Sequence, residues 1–284
     1  MVWGCCGLGL QHPFILKTAM KTGFLILSLL CGTLLCYSQT GISVSPPRVY
    51  FEVRPGQTGT EKVSVTNVSK TTVLDLAISL ADWAYNENGD NLVLPADSLP
   101  NSFAKWVTVS EGSYFSLKPG ETRDLTVNIA VPAALNPESP VYTALLFVTQ
   151  MNPLDDINAQ GSKIKVSVRS GIKLYYRPPG LAKVKKIEIT NLKFDPAAGN
   201  MILTFQSLGN IWTDGVIYTD LLNTGTGKSI KIEETAFLTL PGDKRVVKIP
   251  LPKNLAKGNY TATIMMDFGS DSEMEAAELK FTYE

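Results

Sequence analysis

Residues Lys163–Gly180 read KIKVSVRSGIKLYYRPPG. Apolar and polar side chains alternate from Lys163 to Arg169, and the run continues to Tyr176 with one glycine, Gly171. An alternation of period two places successive side chains on opposite faces, which is the signature of a strand rather than a helix. At about 3.3 Å per residue, Lys163–Tyr176 would extend roughly 45 Å, longer than a usual strand. Ile164, Val166 and Val168 share one face, and Lys163, Lys165, Ser167 and Arg169 share the other. Outward charge suits an edge strand that avoids promiscuous pairing, or one that pairs with a partner by design. The run stops at Arg177-Pro178-Pro179-Gly180. Two successive prolines donate no ladder hydrogen bonds and stiffen the backbone.

The same alternation recurs on both sides of this stop. Val63 and Val65 show it, as do Leu74–Leu80, Leu125–Val131, Met201–Phe205, Val247–Leu251, Tyr260–Met266 and Leu279–Tyr283. Turn signals separate these runs at Pro55-Gly56, Asn88-Gly89, Pro119-Gly120 and Pro241-Gly242. No segment keeps a helical period over a dozen residues. Many short strands at this spacing argue for an all-β chain of two immunoglobulin-like sandwiches, 39–177 and 178–284. The stiff linker predicts two domains held at a fixed angle with a cleft between them. At the first strand Ile42 and Val44 have one parity, whereas Val49, Phe51 and Val53 have the other. The change falls at Pro46-Pro47, where a strand that switches its buried face crosses from one sheet to the other. A kink between two short strands is the local alternative.

Gly23–Leu35 (GFLILSLLCGTLL) is an uncharged apolar run, shorter than the roughly 20 residues of a membrane span and suited to a signal-peptide core. With Lys21 ahead of it, residues 1–38 read as a signal peptide, and Met20 is a candidate true start. A lipid anchor at Cys31 or Cys36 is the rival, but each follows Leu where a small residue is wanted. The chain of 284 residues has 26 basic and 26 acidic side chains, four Cys and one His. Its balanced charge leaves no footprint for nucleic acid. All four Cys and the His fall in the leader, so the exported form has no Cys or His nucleophile chemistry, no zinc-finger-type site and no disulfide.

Several segments, in order, resemble the periplasmic pilus-assembly chaperones (PapD-like), which are boomerang-shaped pairs of immunoglobulin-like domains. Ile172-Lys173-Leu174-Tyr175-Tyr176-Arg177-Pro178 looks like the end of that family's first domain. Ser43–Phe51 (SVSPPRVYF) resembles its first strand, and Trp83 with Asn86-Glu87-Asn88 resembles a turn after its third. Leu117-Lys118-Pro119-Gly120-Glu121, Glu138-Ser139 and Asp267-Phe268-Gly269 extend the likeness, which is good over about 42–180 and thin beyond.

The resemblance implies a chaperone that lends an edge strand to pilus or fimbrial subunits lacking one, by β-augmentation. Ile164, Val166 and Val168 would be the donated side chains. Arg48 and Lys173 would anchor the subunit's C-terminal carboxylate and so fix the register. Glu138, Arg177 and Asp267 match an ionic cluster that orients the two domains. An outer-membrane assembly platform is a further implied partner, and an exposed apolar edge invites self-association. The compartment implied is the periplasm. The family's occasional cysteine pair is missing, and the polar stretches Tyr85–Ser102 and Met151–Ser162 are long enough to alter client choice.

Other classes find less support. Asp155-Asp156 is the nearest approach to a carboxylate pair for glycoside hydrolysis, and acids in a loop are usually solvated. Asn86–Asp90 fails the EF-hand spacing and reads as a hairpin turn. Trp83, Trp106 and Tyr114 are candidates for a sugar platform, although aromatics in sandwiches are more often core. No enzyme activity, cofactor or metal is expected. The alternative is a structural or adhesive envelope protein with the same fold and no strand donation.

Overall fold

In the computed structural model the described residues are 41–157, 160–269 and 274–284. The leader expected over 1–38 lies outside them. Among the described residues every regular element is a strand except a 3-10 turn at Ala104–Trp106. The all-β reading holds.

The first half carries β1 (Ile42–Ser45), β2 (Arg48–Phe51), β3 (Thr58–Asn67), β4 (Leu74–Tyr85), β5 (Asn91–Pro95) and β6 (Val107–Val109). It continues with β7 (Tyr114–Leu117), β8 (Thr122–Ala130), β9 (Tyr142–Gln150), β10 (Leu154–Ile157), β11 (Lys163–Val166) and β12 (Arg169–Tyr176). One sheet runs β1-β3-β8-β6 and the facing sheet β2-β12-β9-β4-β5, with β7 also on β4. Val63 and Val65 of β3 and Leu125, Val127 and Ile129 of β8 meet Leu74, Leu76, Leu146, Ile172 and Leu174 of the facing sheet in one buried core. Their alternation is what makes each sheet apolar on one side.

The parity change at Pro46-Pro47 is a sheet crossing. β1 pairs antiparallel with β3, whereas β2 pairs parallel with β12 in the opposite sheet. β9, in contrast, is buried almost along its length and shows no alternation. It lies between β12 and β4. One face looks into the core, and the other is covered by a second apolar cluster.

The second half has β13 (Ile187–Asp195), β14 (Asn200–Ser207), β15 (Thr213–Asn223), β16 (Ser229–Lys231), β17 (Thr235–Thr239), β18 (Lys244–Pro250), β19 (Gly258–Asp267) and β20 (Glu275–Tyr283). A sheet β13-β14-β18 packs on a sheet β16-β15-β19-β20, with β17 added to β15. Met201, Leu203, Phe205, Ile217, Ile264 and Met266 are in its core. No sheet among the described residues joins the two sandwiches. They meet instead at the second cluster, where Ala81, Trp83, Leu145, Phe147 and Tyr175 pack against Leu240, with Tyr85 and Trp212 at its margin.

Candidate functional site

The parallel pairing of β2 with β12 sets Arg48 directly opposite Lys173. Sequence reasoning named both, and the register brings them together. The Lys173 ammonium donates to the Tyr85 hydroxyl at 2.9 Å and to Asn91 Oδ1 at 2.6 Å. It also stands 4.0 Å from the Trp83 ring centroid and 4.2 Å from that of Tyr85, within cation–π range. Tyr50, Tyr175 and Trp212 form a triangle of mutually packed rings, with all three centroid separations between 4.9 and 5.1 Å and Tyr50 stacked on Tyr175.

A third cation comes from the other sandwich. Arg245 of β18 is only 5% exposed, and its guanidinium carbon lies 5.1 Å from the Tyr85 ring centroid. Its Nη1 donates to the Leu238 carbonyl, and its Nε is buried without a partner. The tip of the β4–β5 hairpin lies over it. Gly89 sits at φ +92°, and a side chain there would run into the Arg245 guanidinium. The same tip is tied to β18 by a Val246 N–H to Glu87 carbonyl bond of 2.7 Å and by the Lys244–Glu87 ion pair at 3.8 Å. Asn86–Asp90 is thus the hairpin turn expected of it, closed by Asn86 N–H to Asp90 O at 3.0 Å.

Among the described residues none of Arg48, Lys173 and Arg245 forms an ion pair. Burial, with the Arg48 and Arg245 charges behind it, depresses the Lys173 ammonium from 10.5 to about 8. Burial pushes the Tyr85 phenol up, although Arg48 and Arg245 pull it down, so the hydroxyl stays neutral and free to accept from Lys173. Arg245 has the Asp243 and Asp90 carboxylates near it, whereas no carboxylate acts on Arg48 or Lys173 among the described residues. Two adjacent cations without counter-charge form a receptor for an anion, and a carboxylate would gain charge-assisted hydrogen bonds there.

The lent strand expected over Lys163–Tyr176 is broken in two. β12 pairs with β9, but β11 pairs only with β10, and Ser167 and Val168 lie between. On β11, Ile164 and Val166 are 37% and 39% exposed. Val168 is half-buried. All three have the parity of Ile172, Leu174 and Tyr176, which face the core. The second edge of β11 carries no strand among the described residues.

Glu138, Arg177 and Asp267 are not brought into an ion cluster among the described residues. Arg177 is buried, and its Nη2 donates to the carbonyls of Leu181 and Ala182 at 2.7 and 3.0 Å. It holds the linker by capping its carbonyls. Glu138 lines a cavity of about 300 Å³ between the sandwiches, beside Trp83, Leu240 and Asp243. Asp267 Oδ1 accepts from the Gly269 N–H at 3.1 Å. The sugar platform does not form either. Trp83 is fully buried in the junction cluster, Trp106 packs on Tyr142 and Tyr176 in the first core, and Tyr114 is exposed elsewhere.

Arg245, Tyr85, Asn91 and Trp212 were not legible as site residues. Arg245 lies within an ordinary polar turn-to-strand segment, and only packing across the junction brings it to Tyr85.

No family model matches the chain, and no curated protein matches it. Among solved structures it is similar to the E. coli chaperone DraB, at 18% identity and TM-score 0.44, covering 84% of this chain and 99% of that one. A chaperone–tip adhesion subunit complex of Acinetobacter baumannii Csu pili matches at 14% identity and TM-score 0.44, over 84% and 97% of the two chains. The Salmonella enterica SafA pilin–SafB chaperone complex matches at 14% and 0.42, over 86% and 99%. Such scores fall short of a shared-fold match, so the chemistry of the site is taken from its own residues.

Proposed function

We propose that the chain is a non-enzymatic periplasmic chaperone for pilus or fimbrial subunits. It lends β11 as an edge strand and seats the subunit's C-terminal carboxylate between Arg48 and Lys173. The observation that carries this reading is where β2 starts. β2 covers β12 only from Lys173 to Tyr176, which among the described residues leaves the run from Lys163 towards Ile172 without a strand on that edge. A client strand added there parallel to β12 would run in line with β2. Its chain end would arrive at the Arg48–Lys173 pair. Alternate client and donor side chains would then be set in register by one ionic contact, since a two-residue slip would pull the carboxylate off its cations.

The segment 39–177 would supply the strand and both anchoring cations, and 178–284 would brace them through the β4–β5 hairpin. Export by the leader is the route to the periplasm. The test is affinity capture from native periplasm, wild type beside an Arg48→Ala/Lys173→Ala double variant, with co-eluting proteins identified by mass spectrometry. A stoichiometric β-rich partner with wild type alone is expected. The same partners with both proteins would favour the structural or adhesive role.

A further inference from the structure

The break between β11 and β12 has a specific construction. Thr149 faces Arg169, but the next paired residues towards the hairpin tip are Leu154 and Val166. Residues 150–153 therefore oppose only Ser167 and Val168, a bulge on the β9–β10 side of one long hairpin. At its base the Gln150 N–H donates to the Val168 carbonyl at 2.9 Å, half of an ordinary antiparallel rung. The other half is missing. The Gln150 carbonyl accepts instead from Ser167 Oγ at 2.6 Å, and the Val168 N–H goes to Gln150 Oε1 at 3.3 Å.

The rest of the Gln150 side chain and the bulge are tied down. Gln150 is only 4% exposed, and its Nε2 donates to the Asn152 carbonyl at 2.8 Å. Asn152 in turn accepts from the Asp75 N–H at 2.9 Å and donates to the Val73 carbonyl at 2.8 Å, while the Met151 N–H donates to Asp75 O at 2.7 Å. The bulge is thereby fixed to the start of β4.

We infer that Gln150 and Ser167 are positioning residues for the lent strand: their side chains replace half of one main-chain rung and so aim β11 away from the first sandwich. This rests on the strand-lending reading above. A regular rung at this point would carry β11 on in the twist of the sheet. With half of the rung exchanged for side chains, the strand bends at Ser167–Val168 and leaves the course of the β12–β9 sheet. Neither residue touches the client in this scheme; both act through the direction of Ile164 and Val166.

The experiment places spin labels on the exported protein at Lys62→Cys and Lys165→Cys, both exposed, and measures their separation by double electron–electron resonance. Ser167→Ala and Gln150→Ala should shift or broaden the distance distribution, whereas Ser167→Thr, which keeps the hydroxyl, should reproduce wild type. The two alanine variants should recover about fivefold less client from native periplasm, the factor that one hydrogen bond's worth of misdirection represents, and Ser167→Thr should recover as much as wild type. Unchanged distances in both alanine variants would overturn the positioning role. Val166→Asp serves as the separate control. If it captures clients like wild type, strand lending itself fails, whatever the labels report.

Discussion

Lys173 and Arg48 are register partners on adjacent parallel strands, and neither meets a carboxylate among the described residues. Two like charges held side by side by main-chain hydrogen bonds oppose folding unless an anion arrives. The fold accepts that cost at the one place where the edge of β12 passes from covered to open.

The cost is measurable through pH. The Lys173 ammonium titrates at about 8 in the fold against 10.5 unperturbed, chiefly through burial and then through Arg48 and Arg245. Between those values the unfolded chain binds more protons, so stability rises with pH from 8 to 10.5, and below 8 the Lys173 charge is fully destabilising. Lys173→Met should therefore raise Tm at pH 7 by about 2–4 °C. The gain should fade as pH approaches 10.5. Thermal scans of both proteins at pH 7 and pH 10 check this, and a Tm lowered at pH 7 would mark Lys173 as structural.

Anion binding should show the opposite dependence. A carboxylate stabilises the charged ammonium, so the affinity of the cleft for acetate should fall as pH rises through 8. Chemical-shift titration at pH 7 and pH 9 reads it, and equal affinities would remove Lys173 from the anion site.

Arg177 and its supposed partners make separable predictions. The buried guanidinium caps the Leu181 and Ala182 carbonyls, so Arg177→Ala should lose about 3 kcal/mol of stability in urea. Glu138→Ala and Asp267→Ala should each stay within about 0.5 kcal/mol of wild type. Comparable losses in all three would restore the ionic cluster.

Gly89→Ala combines a positive φ with collision against Arg245. It should cost about 1–3 kcal/mol. It should also speed hydrogen exchange at the Val246 amide, which the hairpin tip holds through Glu87. Exchange unchanged at Val246 would show that the hairpin does not brace β18.

Asp82 was not picked out by the sequence, yet it is fully buried and accepts from the Ser98 and Leu99 N–H groups at 2.7 and 2.9 Å and from Ser102 Oγ at 2.6 Å. Asp82→Ala would strand those donors. A loss of about 3 kcal/mol or more in the urea unfolding free energy is expected.

Much of the fold was legible because period-two alternation is a local property. Wherever one sheet face meets the core and the other meets water, as in β3, β8 and β14, the buried residues are those the alternation marks. The crossing at Pro46-Pro47 was legible for the same reason, since parity is counted along the chain. β9 escaped because both its faces are covered, which erases the alternation. Lys173 and Arg48 could be named from motif context, but not their pairing.

By itself the sequence determined the strands that alternate, such as β3, β8 and β14, with their buried faces, the stop at Pro178-Pro179 and the cationic character of the edge residues. These depend on backbone chemistry and nearest neighbours. Only the tertiary structure decided that Arg245 shares Tyr85 with Lys173, that Arg177 caps carbonyls, and that a bulge interrupts the pairing of the long strand at Ser167–Val168. Each of these turns on side chains far apart in the chain competing for the same donors and acceptors. Which partner wins is set by register and packing between sheets, quantities that no local pattern carries.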